Sequence, residues 1–183
     1  MEPEEEHVLV ERARDDPLAF GALYESYVDR VYNYIYQRTG NRFDAEDLTA
    51  RTFLKAFAHL EHYVFRGIPF SAWLYRIAHN AVANWYRDRR RHVVVSLDAL
   101  IARGDDCDGP EDQTQAREER GILLNAIREL PSDRQQLLIL KFSEGLKNAE
   151  IAQITGRTEG AIKSLYHRTL IALRRELERN RKD

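Results

Sequence analysis

The chain has 183 residues, 43% of them apolar and 32% charged, which suits one or two small, soluble, charge-rich domains with a real core. Its single cysteine, Cys107, excludes an internal disulfide, and no Cys/His spacing makes a zinc site. The opening MEPEEEHVLV lacks a signal pattern and no apolar run is long enough to span a bilayer, so a cytoplasmic chain without membrane insertion is expected. A formal net charge of -2 does not exclude nucleic acid, because DNA-binding chains gather their basic residues in patches.

From Asp16 the stretch DPLAFGALYESYVDRVYNYIYQRTG places Phe20, Leu23, Tyr27, Val31, Tyr34 and Ile35 at helical spacing. Asp16 is its expected cap, Pro17 its first residue and Gly40 its stop. A second helix is expected from about Asp44, in DAEDLTARTFLKAFAHLEHY, with Leu48, Thr52, Leu54, Phe57, Ala58 and Leu60 on its buried side. VFRGIPF, with Gly67 and Pro69, reads as a loop.

A third helix begins near Phe70 or Ser71 and contains WLYRIAHNAVANWYRDRRR. At 3.6 residues per turn, Arg76, Asn80, Asn84, Arg87 and Arg91 fall along one stripe. Leu74, Ile77, Ala78, Ala81 and Trp85 form the neighbouring apolar side, and Trp73 and Trp85 are assigned to the core. Such a stripe is either a solvated face or one that meets phosphates and bases; the second reading is preferred. Tyr75, His79 and Tyr86 lie beside it, where they are expected to stack on unpaired bases.

HVVVSLDALIARGDDCDGPEDQTQ breaks the pattern and reads as an acidic linker. Helical periodicity resumes near Ala116 and runs to Leu130, where Pro131 ends it. Three further helices are expected at Ser132–Ser143, Lys147–Thr155 and Thr158–Asn180. The fold class is therefore all-α: two small helical domains joined by a flexible acidic linker, the second a helix-turn-helix. The boundaries are 1–91, 92–118 and 119–183.

NAEIAQITGRTEGAIKSLYHRTL carries the helix-turn-helix pattern. Ala152 is small where the helices cross, Gly156 sits in the turn, and Ile151, Ile162 and Leu165 clamp the pair. Thr158 can cap the second helix, which presents Lys163, Ser164, His167 and Arg168 to phosphates and base edges. Arg157 lies at the turn beside them. The same spacing serves an ordinary antiparallel helix pair; the exposed basic face favours DNA. The basic tail LRRELERNRKD suits either phosphate contact or a solvated helix end.

An enzyme is not indicated: there is no phosphate-cradling Gly loop and no nucleophile motif. His59 and His62 flank Glu61, but no third ligand accompanies them, so no metal and no cofactor is expected.

The order DPLAFGALYESY, DAEDLTARTFLKAF, FSAWLYRIAHNAVANWYRDRRR, acidic linker, LPSDRQQLLILKFSEGLKNAEIAQITGRTEGAIKSLYHRTLIALRREL resembles an extracytoplasmic-function sigma factor of bacterial RNA polymerase. The likeness runs from about Asp16 to Leu177. It implies a core-binding, minus-ten-reading and melting domain at 1–91 and a minus-thirty-five-reading domain at 119–183. Asp47, Leu48, Thr52, Phe53 and Lys55 become candidate contacts to core polymerase. Arg76, Asn80, Asn84, Arg87 and Arg91 become candidates for the minus-ten strand, with the loop Glu61–Pro69 helping to receive a flipped-out base. Arg157, Thr158, Lys163, Ser164, His167 and Arg168 become candidates for the minus-thirty-five element. Asp105, Asp106, Asp108, Glu111 and Asp112 resemble the family's acidic connector. Thr49 and Ala50 follow Asp47-Leu48 where the family often has Val-Gln. The implied partners are core RNA polymerase, promoter DNA and an anti-sigma protein. The alternative is a stand-alone helix-turn-helix regulator whose first domain senses or dimerises.

Overall fold

A computed structural model describes residues 3–65, 69–89 and 112–180. Among them are eight α-helices and no strand. The first, α1 (Pro3–Arg12), was not foreseen. Its acidic first turn, Glu4 to Glu6, and its basic Arg12 at the other end both complement the helix dipole. Helix α2 (Pro17–Thr39) starts and stops as expected. Asp16 accepts from the Leu18 N–H at 2.9 Å, and Gly40 closes the helix in the left-handed region at φ 61°.

Helix α3 (Arg42–Ala58) begins slightly ahead of the expected Asp44, because Asn41 caps it by accepting from the Asp44 N–H. A single 3-10 turn, Leu60–His62, follows. The buried stripe of α3 is Ala45, Leu48, Thr49, Thr52, Phe53 and Ala56. Leu54, 68% exposed, and Phe57, 48% exposed, lie off it, and Ala58 is exposed as well. The expected stripe ran one position askew past Thr52, and about 100° of rotation per residue is enough to turn a side chain from core to water.

Helix α4 (Phe70–Arg89) packs against α2 and α3. Leu74, Ala78 and Val82 are fully buried there; Trp85 is buried too, and Trp73 is half-buried against the same core. Helix α5 (Asp112–Arg128) starts ahead of the expected Ala116, so the end of the linker at 92–118 is helical. Asp105, Asp106, Cys107, Asp108 and Glu111 lie outside the described residues.

Helix α6 (Ser132–Leu138) gives way to a wider π turn over Ile139–Ser143, so the expected Ser132–Ser143 helix is α-helical only in its first part. The turn closes through the Glu144 N–H on Ile139 O and the Leu146 N–H on Leu140 O. Helices α7 (Asn148–Thr155) and α8 (Glu159–Asn180) complete the chain.

The two helical units are in contact. One apolar cluster runs from Leu23, Tyr34 and Leu74 of the first unit to Leu137, Ile139, Leu140 and Ile151 of the second. Helix α7 lies against α4. A smaller cluster, Leu124, Ile127, Leu130 and Leu138 with Ala172 and Leu173, joins α5, α6 and α8.

The junction also holds polar groups. The Glu144 side chain, 1% exposed, accepts from the Tyr75 hydroxyl and from Arg30 Nε at 3.3 Å. Arg30 Nη2 donates to the Glu144 carbonyl at 3.0 Å. Gln136 Nε2 donates to His79 Nδ1 at 2.7 Å and to the Tyr34 hydroxyl at 3.3 Å. Burial, and then the nearby Arg38 guanidinium, lower the His79 pKa from 6.5 to about 4, which keeps Nδ1 free to accept. Asp133 and Arg157 line the same small cavity.

The folded chain thus takes up the His79 proton at lower pH than the unfolded chain does. The stability contributed by neutral His79 is complete above about 6.5 and is lost as pH falls toward about 4. Melting temperatures across that window are expected to fall more steeply for the wild type than for His79→Gln. Parallel curves for the two proteins would assign the acid sensitivity to other groups.

Candidate nucleic-acid interface

Helix α4 is covered by α2, α3 and α7, and its free side is the polar stripe. Arg76, Asn80, Asn84 and Arg87 are all exposed; Arg91 lies outside the described residues. Asn80 and Asn84 make no hydrogen bond among the described residues, so both amides are available to a ligand.

The aromatic residues beside the stripe behave differently from expectation. Tyr75 is fully buried and donates to Glu144; burial, then Glu144, raise its pKa. Tyr86 is buried and donates to the Arg38 carbonyl. His79 is half-buried under Gln136. None of the three is placed to stack on a base, because Glu144, Arg38 of α2 and Gln136 of α6 take them up.

A different aromatic group stands at the head of α4. Tyr63, Phe70 and Trp73 pack with ring centroids 5.3 to 5.7 Å apart. Burial pushes the Tyr63 hydroxyl up to about 12, so it is a neutral donor. Beside them is a cavity of about 430 Å³ lined by His62, Tyr63, Val64, Ala72, Trp73, Arg76 and Gln153. Aromatic walls and one guanidinium suit a planar heterocycle with polar edges. Residues 66–68 of the loop Glu61–Pro69 lie outside the described residues.

The second surface is the helix-turn-helix. Gly156 adopts φ 68°, and its N–H closes α7 on the Ala152 carbonyl. Thr158 Oγ1 accepts from the Ala161 N–H at 3.2 Å and so caps α8. Ile151, Ile162 and Leu165 are buried between the two helices. Arg157, Thr158, Lys163, Ser164, His167 and Arg168 are all exposed. Two of these cations already have carboxylate partners: Lys163 meets Glu159 at 2.9 Å and Arg157 meets Asp133 at 3.4 Å. Exposed pairs of this kind are worth about 1 kcal/mol or less, so a phosphate can displace them.

The third surface is α3. Asp47 and Lys55 are exposed, whereas Leu48, Thr52 and Phe53 belong to the core. Arg51, overlooked in the sequence, pairs with Asp47 at 2.9 Å. Both line a groove of about 420 Å³ with Lys55, Ile77, Ala81, Asn84 and Asp88. Exposed Leu54 and Phe57 add apolar area to the same helix. His59 and His62 are exposed, and no group of three or more metal-binding side chains occurs among the described residues. Among those residues no helix is long and apolar enough to cross a membrane.

Comparison with known proteins matches two families: Sigma-70 region 2 over residues 23–92 and Sigma-70, region 4 over residues 120–173. The ECF RNA polymerase sigma factor BldN of Streptomyces coelicolor is 39% identical over 170 residues. That match covers 92% of this chain and 64% of the relative's length. The ECF RNA polymerase sigma factor SigW of Bacillus subtilis is 30% identical over 174 residues, covering 90% and 91% of the two chains. Among solved structures, CnrH in complex with the cytosolic domain of CnrY shares the fold, with a TM-score of 0.66 and 20% identity over 94% of this chain and 97% of that one.

The turn glycine gives a direct test of the second surface. Gly156→Ala meets no neighbouring atom, yet it forces a Cβ into the left-handed region. It should cost about 1 kcal/mol in urea denaturation. Gly21→Ala, in the interior of α2 with open space around it, should instead stabilise by about 0.5–1 kcal/mol. Equal effects at the two sites would contradict the assigned backbone conformations.

Proposed function

This chain belongs to the extracytoplasmic-function sigma factors of bacterial RNA polymerase, and from that premise we propose that it binds core polymerase and directs promoter-specific initiation, including promoter melting. The observation that carries this reading is the pairing of two unlike DNA-facing surfaces. One is a capped recognition helix; the other is an Arg/Asn stripe beside an aromatic cavity. A stand-alone regulator of the helix-turn-helix type has use for the first surface only.

In the proposed mechanism α8 enters the major groove of the minus-thirty-five element. Lys163 and Arg168 meet phosphates and base edges, helped by Ser164 and His167, with Arg157 and Thr158 near the helix start. The non-template minus-ten strand lies along Arg76, Asn80, Asn84 and Arg87, with Arg91 beyond the described residues. A base flipped from the duplex costs a few kcal/mol, and stacking on Trp73 together with polar contact from Arg76 offsets it. Asp47 and Lys55 contact core polymerase, with Arg51 and Leu54 beside them. Leu48, Thr52 and Phe53 act there by holding α3 in shape. The chain performs no bond chemistry of its own.

Core polymerase, promoter DNA and an anti-sigma protein are the proposed partners, and the cytoplasm the proposed compartment. Each DNA element is held weakly, and tethering both through one polymerase raises the effective concentration of each. The free chain is a poor duplex binder for two reasons: its net charge is -2, and Gln153 of the second unit lines the base cavity.

Transcription in vitro with sigma-free core polymerase and a library of promoter-like duplexes is the test. Initiation at a shared two-element sequence, absent without the chain, is expected; no initiation and no core binding would favour the stand-alone regulator. Replacing Asn80 and Asn84 together by alanine should lower open-complex yield by about tenfold or more, since a lost base contact costs about 1–3 kcal/mol. Core affinity should be unchanged in the Asn80→Ala single variant, since Asn84 alone of the two also lines the groove beside Asp47 and Lys55. Lys163→Ala should weaken minus-thirty-five binding by the holoenzyme across sequences and reduce its salt slope by about one; an unaltered slope would remove Lys163 from the phosphate contacts.

A further inference from the structure

The head of α4 is capped from the other end of its unit. Pro69 occupies the cap position, since its carbonyl accepts from the Ala72 and Trp73 N–H groups at 3.1 and 3.4 Å. Proline has no side-chain acceptor, so the first amides of α4 need one from elsewhere. Glu6 of α1 supplies it. Its Oε2 accepts from the Phe70 N–H at 3.1 Å and its Oε1 from the Ser71 N–H at 3.2 Å. The Tyr27 hydroxyl donates to Oε1 as well, and the residue is 5% exposed. A carboxylate there also meets the positive end of the helix dipole.

The same N-terminal segment holds the other edge of the cavity. Arg14 Nη2 donates to the Tyr63 carbonyl at 2.7 Å. The His7 ring packs on Phe65 at 5.2 Å. Glu6, His7 and Arg14 therefore hold Phe70 and Ser71 after the loop and Phe65 and Tyr63 within it. Tyr63, Trp73 and Arg76 wall the cavity. A shift in the start of α4 displaces Trp73 and Arg76 together, because both ride on its first two turns.

We propose that Glu6 is a positioning residue for promoter opening: it sets the start of α4, and Arg14 sets the facing edge of the loop, so that the cavity between them fits an unpaired base. This rests on the sigma-factor reading. Glu6 and Arg14 touch no DNA themselves. Both act at the cavity and not on α3, so their loss should separate strand capture from polymerase binding.

The experiment uses holoenzyme reconstituted from core polymerase and the full chain, as wild type, Glu6→Gln, Arg14→Gln and the double variant Glu6→Gln/Pro69→Asp. Core affinity is titrated by fluorescence. Binding of a single-stranded non-template minus-ten oligonucleotide and permanganate reactivity of unpaired promoter thymines are measured beside it. Glu6→Gln puts an amide donor where two N–H groups need acceptors. Strand affinity and open-complex yield should fall about fivefold to tenfold, the size of a lost helix cap, with core affinity unchanged. Arg14→Gln, at a partly exposed site, should show the same selective loss to a smaller degree. A local cap at Pro69→Asp should restore most of the Glu6→Gln defect. Wild-type strand binding in both single variants, or an equal loss of core affinity, would overturn the positioning role. A wild-type holoenzyme that opens no promoter would instead overturn the reading on which it rests.

Discussion

Helix α4 is held by two buried carboxylates, one from each helical unit. Glu6 takes the amides at its head, and Glu144 takes the Tyr75 hydroxyl on its flank. Burying a carboxylate is costly unless its oxygens are satisfied. Each of these has at least two donors, and the donors lie on elements far apart in sequence. Such contacts define one position for α4 in a way that apolar packing alone does not, because a slipped helix would leave a buried charge unpartnered. The stripe and the cavity proposed to meet DNA inherit their geometry from that arrangement: the stripe lies on the side of α4 away from α2, α3 and α7, and the cavity lies at the end that Glu6 holds.

The junction between the units combines apolar packing with a few polar contacts. Its apolar part is continuous with the core of the first unit, while its polar part consists of few groups with defined partners. Arg38 shows the tension most clearly. It is buried, and its Nε and Nη1 have no hydrogen-bond partner among the described residues. Its charge helps to keep His79 neutral, and neutral His79 is what Gln136 requires. The polar part of the junction thus depends on one imidazole staying neutral beside one buried guanidinium.

Charge is distributed by the same logic. Lys163 of α8 sits beside Glu159, Arg157 of the turn before it beside Asp133, and Arg51 beside Asp47. A chain near neutrality keeps local cationic faces but little long-range pull on duplex DNA.

The sequence by itself determined most of the helices after α1, several of their caps and the helix-turn-helix. Asp16, Gly40, Gly156 and Thr158 act within a few residues of their own position, so local chemistry suffices to read them. It also marked the Arg/Asn stripe, since helical periodicity alone places those residues on one side. What it did not determine is which flank of that stripe is covered. Tyr75, His79 and Tyr86 look like stacking platforms until Glu144, Gln136 and Arg38 take them into the packed interior. Leu54 and Phe57 look like core until α3 turns them outward. Glu6 and Glu144 look like solvated acids in acidic or mixed stretches. Only the tertiary structure gives them buried donors 64 and 69 residues away. Contacts over that separation leave no periodic trace, because the partner is chosen by how the helices pack and not by spacing along the chain.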